Sequence, residues 1–372
     1  MKIAIIGGKL QGTEAVYLGS ACGFESILID NNPEVPASTM ADRFVSGDVI
    51  RRDPEVIDAM READFVLPAN ENDQVLAAVC AICEEEGLKL AFDMDAYRIS
   101  QSKIKSDALI HEAGIPAPKY YPGGRAPYVI KPSGESGSAG VRYAKDAEEV
   151  REFLAGCRDA ENWIVQEYLE GPSYSIEVIG TPEAGYRTYT ITQIHMDDVY
   201  DCCKVTAPCE ITENQKEEFA EIGKRLAELV NLHGIMDVEV IDDGEALKVL
   251  EIDARIPSQT PIAVLYSSGM NLLSELADVT VYGAFQSVQR DEGKFSVYEH
   301  YQRKDGKIVQ EGEHMMASAN PLSVSEELFG SKVVISDYGR MGEVFSGIFV
   351  NWADSRKELE EMRSRVKAEL GV

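Results

Sequence analysis

A hairpin that must carry four carboxylates on one face constrains this chain more than any other stretch. Ile235–Ile241 and Leu247–Asp253 read as apolar strands, each interrupted twice by an acid. Asp237 and Glu239 stand two residues apart in the first, Glu251 and Asp253 in the second. That spacing sends both acids of each strand to the same face. Asp242–Asp243–Gly244 supplies the tight turn between them. Carboxylates so placed repel one another and lose hydration unless a cation sits among them. Mg²⁺ suits such a place, because it takes one or two carboxylates together with phosphate oxygens. Arg255, two residues beyond the second strand, can hold an anion beside that ion. An acidic outer face on a surface hairpin is the plain alternative.

The rest of the composition sets limits. A chain of 372 residues can bury a large core and divides into two or three domains. A net charge of −28 leaves no basic surface to release counterions, so nucleic-acid and anionic-membrane partners are not expected. No apolar run reaches the length of a membrane span. The opening MKIAIIGGKLQG lacks the apolar region of a signal peptide and reads as a first buried strand. Seven irregularly spaced cysteines argue against a disulfide framework, and their spacing suggests no zinc site. A reduced, cytoplasmic protein is expected.

Along residues 1–95, short apolar strands (Lys2–Gly8, Ser26–Asp30, Phe44–Gly47, Phe65–Pro68, Lys89–Phe92) alternate with helical stretches such as Gln11–Gly23 and Asn72–Gly87. The alternation predicts βαβ units and a doubly wound parallel sheet. Gly7–Gly8 and Gly12 form a glycine-rich turn into a helix, and Asp30 closes the second strand, yet the spacing is not that of a dinucleotide fingerprint. Asn70–Glu71–Asn72 falls at a carboxyl-end loop, where open α/β sheets bind ligands, although Asn70 or Asn72 serves equally as a helix cap.

A helix over Ser102–Ala113 begins with Lys103 and Lys105, which oppose its dipole. Next, the apolar strand Tyr128–Lys131 ends in a lysine. A loop follows with Gly134, Gly137, Gly140 and Ser133, Ser136, Ser138, and then a strand over Gly140–Ala144. Small residues let backbone N–H groups approach phosphate oxygens, and Lys131 adds a point charge. The order is that of a β-loop-β flap, not of a P-loop. In the strand Trp163–Leu169, Gln166, Glu167, Tyr168 and Leu169 offer backbone groups to an adenine edge, and Glu170 is placed for ribose hydroxyls. Tyr174–Gly180 and Arg187–Met196 read as antiparallel strands, Glu177 projecting from the first. The loop HMDDVYDC gathers His195, Asp197, Asp198 and Asp201 and suits the ammonium groups of a substrate. A helix over Glu213–Leu232 opens with a Thr212/Gln215 capping box. Further on come a helix over Asn271–Tyr282, strands near Ser296–Gln302, Lys332–Asp337 and Glu343–Val350, and an amphipathic helix over Ala353–Leu370.

A lysine at a strand end, a glycine/serine flap, QEYLEG and two acidic strands, in this order, resemble the ATP-grasp superfamily of carboxylate–amine ligases. The stretches GGKLQG, PANEN, FDMDAYRIS, EVIG, HMDDVYDC, GIMDVEVI and EIDARIPSQTPIAVLYSSGMNL resemble, more narrowly, the ligases of pyrrolysine biosynthesis that join 3-methyl-D-ornithine to the side-chain amine of L-lysine. The resemblance implies an α/β fold with an N-terminal doubly wound domain (1–95), an ATP-grasp domain (96–290, lid about 125–170) and a small C-terminal domain (291–372). It implies ATP with Mg²⁺, or Mn²⁺ as the alternative ion, held at Glu239, Glu251 and Asp253, the last in place of the family's usual Asn. Lys9, Leu10, Lys103 or Lys105, Lys131, Ser136, Ser138 and residues 166–170 would meet the nucleotide. Lys131 and Arg255 would act in catalysis. Glu177, Asp198, Asp201, Asp237, Arg255 and Ser258 would hold the amino acids. The same resemblance admits a homodimer. Other amino-acid ligases of the superfamily, or its carboxylases, share the nucleotide motifs and form the alternative.

Overall fold

The computed structural model describes residues 1–134, 140–290, 293–340 and 344–372. Four parallel strands open the chain: β1 (Lys2–Ile6), β2 (Glu25–Asp30), β3 (Arg43–Ser46) and β4 (Phe65–Pro68), in the order β3-β2-β1-β4. Helices α1 (Leu10–Ala21), α2 (Pro54–Arg61) and α3 (Asp73–Glu86) connect or follow them. Continuous apolar runs such as Ile3–Ile6 are buried on both faces, as a sheet covered by helices requires. Gly12 permits α1 to start where it does, since a Cβ there would stand 2.1 Å from the Gly7 carbonyl oxygen. Asn72 caps α3, accepting from the N–H groups of Gln74 and Val75. The expected fifth strand, Lys89–Phe92, amounts to a single parallel bridge between Leu90 and Val66.

After α4 (Met94–Ser100) and α5 (Lys103–Glu112) comes a three-stranded lid of β5 (Tyr128–Pro132), β6 (Arg142–Ala144) and β7 (Trp163–Glu167), with α6 (Ala147–Gly156) against it. The expected phosphate contacts Ser136 and Ser138, like Gly137 and the strand start at Glu343, lie outside the described residues.

The largest sheet is antiparallel and has eleven strands among the described residues. Its path runs β13 (Leu247–Asp253), β12 (Gly234–Asp242), β8 (Ser173–Thr181), β10 (Thr192–Met196), β11 (Cys202–Ala207), β14 (Phe295–Lys304), β18 (Phe345–Ala353), β17 (Val333–Ser336) and β16 (Ser323–Glu326). Two further strands join it, β9 (Gly185–Thr188) on β8 and β15 (Lys307–Gln310) on β14. The strands after residue 290 therefore continue the same sheet as the acidic hairpin.

One strand was expected over Arg187–Met196, and the chain instead forms β9 and β10. The register with β8 slips by one residue between Val178↔Thr188 and Ser175↔Thr192, so the intervening residues bulge out. β11, of which only Cys202 falls in the stretch read as a loop, fills the space between β10 and β14.

Helices α7 (Glu213–Leu229), α8 (Thr260–Ser268), α9 (Leu272–Tyr282) and α10 (Arg356–Leu370) cover the sheet. The Thr212/Gln215 capping box is formed in full. α10 starts at Arg356 because β18 runs on through Ala353. One hydrophobic core joins the two sheets: Leu18 of α1 and Leu28 of β2 share it with Leu273 of α9 and Val350 of β18.

Candidate active site

The site begins with strand register. Across β12 and β13, Glu239 pairs with Glu251 and Asp237 with Asp253, and across β8 and β12, Glu177 pairs with Asp237. Opposed residues share a face, so five carboxylates stand on one side of three adjacent strands. Glu177 and Asp237 are buried, and among the described residues neither oxygen of Glu177 nor Oδ1 of Asp237 has a hydrogen-bond partner. Burial pushes Glu177 up to about 7, and burial with the charges of Glu251 and Asp253 pushes Glu239 up to about 8. Asp237 and Asp253 are raised by burial as well, against the pull of Arg255. Such a set favours a cation over its own ionisation.

The lid closes over this face and leaves a cleft of about 600 Å³. Lys103, Lys131, Glu239 and Glu251 line its floor. The Lys103 Nζ stands 2.7 Å from Glu251 Oε1. Lys131 is drawn down by burial, an effect countered by Asp107 and Glu251. Lys105 is exposed, because two residues on a helix turn about 200° away from Lys103. Gln166 donates from Nε2 to Asp107 Oδ2 at 2.5 Å, and burial lifts Asp107 to about 6. The Glu167 carboxylate is committed to Lys248 at 3.4 Å and to the N–H groups of Lys119 and Arg125, and its own N–H donates to the Lys119 carbonyl at 2.9 Å, so only its carbonyl is left for a ligand. Tyr168 meets the Tyr143 ring edge-on at 5.5 Å, and Leu169 and Glu170 complete the rim.

A second cavity, of about 430 Å³, opens beyond β13 against the carboxyl ends of the parallel strands. Lys9 and Leu10, expected at the nucleotide, line this cavity and not the cleft. Glu71, Arg255, Ser258 and Glu313 line it too. Arg255 Nε binds Glu71 Oε1 at 2.8 Å, while its Nη2 meets Asp253 Oδ2 at 3.2 Å. Burial works against the charge of Arg255, and Asp253 and Glu71 sustain it. The Ser258 hydroxyl donates to Glu313 Oε2 at 2.7 Å. Asp30 closes the glycine turn by accepting from the Gly8 N–H at 2.9 Å.

Two acids of the HMDDVYDC loop have other employment, one of them the expected substrate residue Asp201. Asp201 accepts from the His314 N–H at 3.1 Å and pairs with His314 Nδ1 at 2.8 Å. Asp197 accepts from Val199, Asp201 and Gly312, so the loop is fastened to the turn at Glu313–Ser318. Asp198 is exposed at the loop tip. Neither Asp198 nor Asp201 lines either cavity. Sequence reasoning missed Asp107, Glu313 and His314. Only Asp107 left a signal, an acid on the buried side of a helix that begins with Lys103.

Among the described residues no three carboxylate, imidazole or thiol groups already surround one point. Cys80 and Cys83 stand at C-x2-C spacing in α3, but among the described residues no third such ligand joins them. The opposed pair Glu239 and Glu251 fits an ion of another kind, Mg²⁺, which completes its shell with phosphates and water.

Comparison with known proteins accords with this layout. Residues 100–259 match the ATP-grasp domain model. The 3-methyl-D-ornithine–L-lysine ligase of Methanosarcina acetivorans is 37% identical over 97% of this chain and 95% of its own length. That of Methanosarcina mazei is 35% identical over 98% and 94%. The biotin carboxylase domain of the Hydrogenobacter thermophilus 2-oxoglutarate carboxylase, solved with MgADP and bicarbonate, superposes with a TM-score of 0.74 at 15% identity, covering 98% of this chain and 89% of that one. Its α/β architecture is that of the ATP-grasp fold, and by its full-length identity the chain belongs to the family of 3-methyl-D-ornithine–L-lysine ligases.

Proposed function

We propose that the protein joins the carboxylate of (3R)-3-methyl-D-ornithine to the ε-amine of L-lysine, in pyrrolysine biosynthesis, at the expense of ATP. The observation that carries the reading is the full-length identity to ligases of that name, joined to a cleft in which Lys103 and Lys131 face Glu239 and Glu251. The cleft takes ATP, its adenine beside the backbone of residues 167–169. Glu239 and Glu251, with Asp253 next to them, hold Mg²⁺, or Mn²⁺ in its place. Bound there, the ion neutralises phosphate charge. Lys131 stabilises the phosphoryl group as it passes to the amino-acid carboxylate, giving an acyl phosphate and ADP. Lys103, paired with Glu251 in the same cleft, would add a positive charge beside the phosphates. The lysine amine attacks the carbonyl carbon in its neutral form, phosphate leaves, and the amide remains.

Arg255 lines the second cavity with Asp253 of the hairpin at its guanidinium, where it meets the acyl carboxylate and the charge of the tetrahedral intermediate. Glu177, with the Thr260 hydroxyl beside it, and Asp237, buried next to each other behind the walls of the two cavities, are the acids assigned to an ammonium group. Lys9, Leu10, Ser258, Glu71 and Glu313 shape the second cavity for the other amino acid. The reaction belongs in the cytoplasm, a placement supported by seven irregularly spaced cysteines that make no disulfide framework. Among the described residues no helix is long and apolar enough to cross a membrane.

The test is ADP release with ATP, Mg²⁺ and both amino acids, with the product mass read alongside. ADP that forms only when both are present, with a product equal to their sum less water, is expected. ADP with either amino acid alone and no such product would move the enzyme to another ligase of the superfamily.

A further inference from the structure

Glu14 lies in α1 and is 1% exposed. Its Oε1 accepts from the Ile262 N–H at 2.8 Å, and the Gln259 backbone adds a second hydrogen bond. Both donors belong to the first turn of α8, whose cap residue, Gln259, makes no side-chain cap of its own. Gln259 holds φ +72° and ψ −55°, and the Thr260 N–H donates to the Ser258 carbonyl at 2.9 Å. That is a γ-turn of the rare, strained hand, at a residue other than glycine. Its side-chain Oε1 is buried without a partner among the described residues. Strain of this kind persists only where the surroundings over-determine it.

The stretch from Ala254 to Thr260 carries Arg255 and Ser258. It is tied at its start by Ser100, whose Oγ accepts from the Ala254 N–H at 3.0 Å. At its end, the Glu14 side chain engages the strained turn. α1 is itself anchored to the same helical pair, since Asn271 donates to the Leu18 carbonyl at 2.8 Å.

We infer that Glu14 is a positioning residue: acting through the first turn of α8, it holds the Gln259 turn in its strained form and thereby sets Arg255 and Ser258 in the wall of the second cavity. The buried carboxylate performs no chemistry. It replaces the cap that α8 lacks and couples the N-terminal sheet to the loop that follows β13. Burial raises Glu14 to about 8 in spite of the two backbone bonds, so its oxygen acts chiefly as an acceptor, which an amide can imitate.

Two variants separate this role from packing. Glu14→Met fills the same volume without an acceptor, and Glu14→Gln keeps one. Turnover dependent on both amino acids should fall by about tenfold to a hundredfold in Glu14→Met, the cost of a displaced catalytic loop. MgADP affinity, read by calorimetry, should stay within about twofold, because the cleft lies apart from α8. Glu14→Gln should lose about threefold or less. Equal activity of the two variants, or a parallel loss of turnover and MgADP affinity, overturns the inference. If Glu14→Met does not fold, hydrogen exchange on the native protein decides: the Gln259 and Ile262 amides must exchange as slowly as the sheet, and rapid exchange overturns it. The inference rests on the ligase reading, but a failure of that reading shows itself separately, as native protein that makes no amide from the two amino acids.

Discussion

The two cavities flanking β13 differ in how their charges are arranged. In the cleft under the lid, Lys131 stands opposite Glu239 and Glu251, while Lys103 is closed on Glu251 and, at the edge, Glu167 on Lys248. In the second cavity the charges are already spent on one another: Arg255 on Glu71 and Asp253, Ser258 on Glu313, Asp30 on the Gly8 N–H. The first is built to receive a highly charged ligand that brings its own cation. The second is preorganised, and a substrate entering it exchanges hydrogen bonds with a formed network. A nucleotide and an amino acid differ in the same way.

The contrast is tested most strongly by removing one cation from each side. Lys131→Met should cut ADP formation by about a hundredfold to a thousandfold and weaken MgADP binding as well, since the charge lost is one that the phosphates meet. Arg255→Lys should reduce turnover by about tenfold to a hundredfold but leave MgADP affinity within about twofold, because a lysine cannot reproduce a forked contact to two carboxylates. Steady-state kinetics with calorimetric MgADP titration reads both. If Arg255→Lys weakened MgADP as much as Lys131→Met, the two cavities would form one site and the comparison would collapse.

How much of this was visible beforehand follows the range of the interactions. The acidic hairpin was legible because a period of two fixes which side chains share a face, and because Asp242–Asp243–Gly244 marks the turn. Its strands lie within a residue of expectation. The parallel sheet was legible from its alternation of short apolar runs and helices. Lys105 was separable from Lys103 only in the helix itself, where a two-residue step reverses direction. Asp201 could not be assigned from its neighbours, because its partner His314 lies 113 residues further on. Glu14 and Ile262, 248 residues apart, show the same limit. A composition of nearby acids suggested a site for ammonium groups, and the fold used two of those acids as fasteners.

A second test concerns protons. Glu177 is raised to about 7 by burial, so the empty site holds it protonated below that value. An ammonium group favours the ionised form, and its binding must therefore release a proton at low pH. Affinity should fall as the pH drops below about 7, by up to about tenfold per unit, and level off above it. For the folded protein alone the sign is the reverse. A carboxyl raised in the folded state adds stability below its ordinary range and loses it as the pH rises through about 7. Measuring the KM of each amino acid from pH 5.5 to 8.5 identifies which one meets Glu177 (the range spans about 1.5 units either side of its value). Glu177→Gln should flatten that profile alone. A profile that remained steep in the variant would transfer the effect to another acid of the same face.

The smallest effect is expected at the fastener. His314 is raised above the ordinary histidine range: burial works against its charge, and the Asp201 carboxylate outweighs that burial. The tie between them is fully present below about 6.5 and is lost as the pH rises through the raised value. Replacing Asp201 with Asn removes the charge but keeps an oxygen that can accept the His314 N–H. The imidazole should then titrate at or below its ordinary value, while both amino-acid KM values change by about threefold or less, as for a partly exposed pair. Proton NMR of the five histidines, compared before and after the substitution, reads the titration directly. An unmoved histidine together with a large rise in either KM would return Asp201 to the substrate and make the second cavity larger than its present walls, since the loop would have to open to admit it.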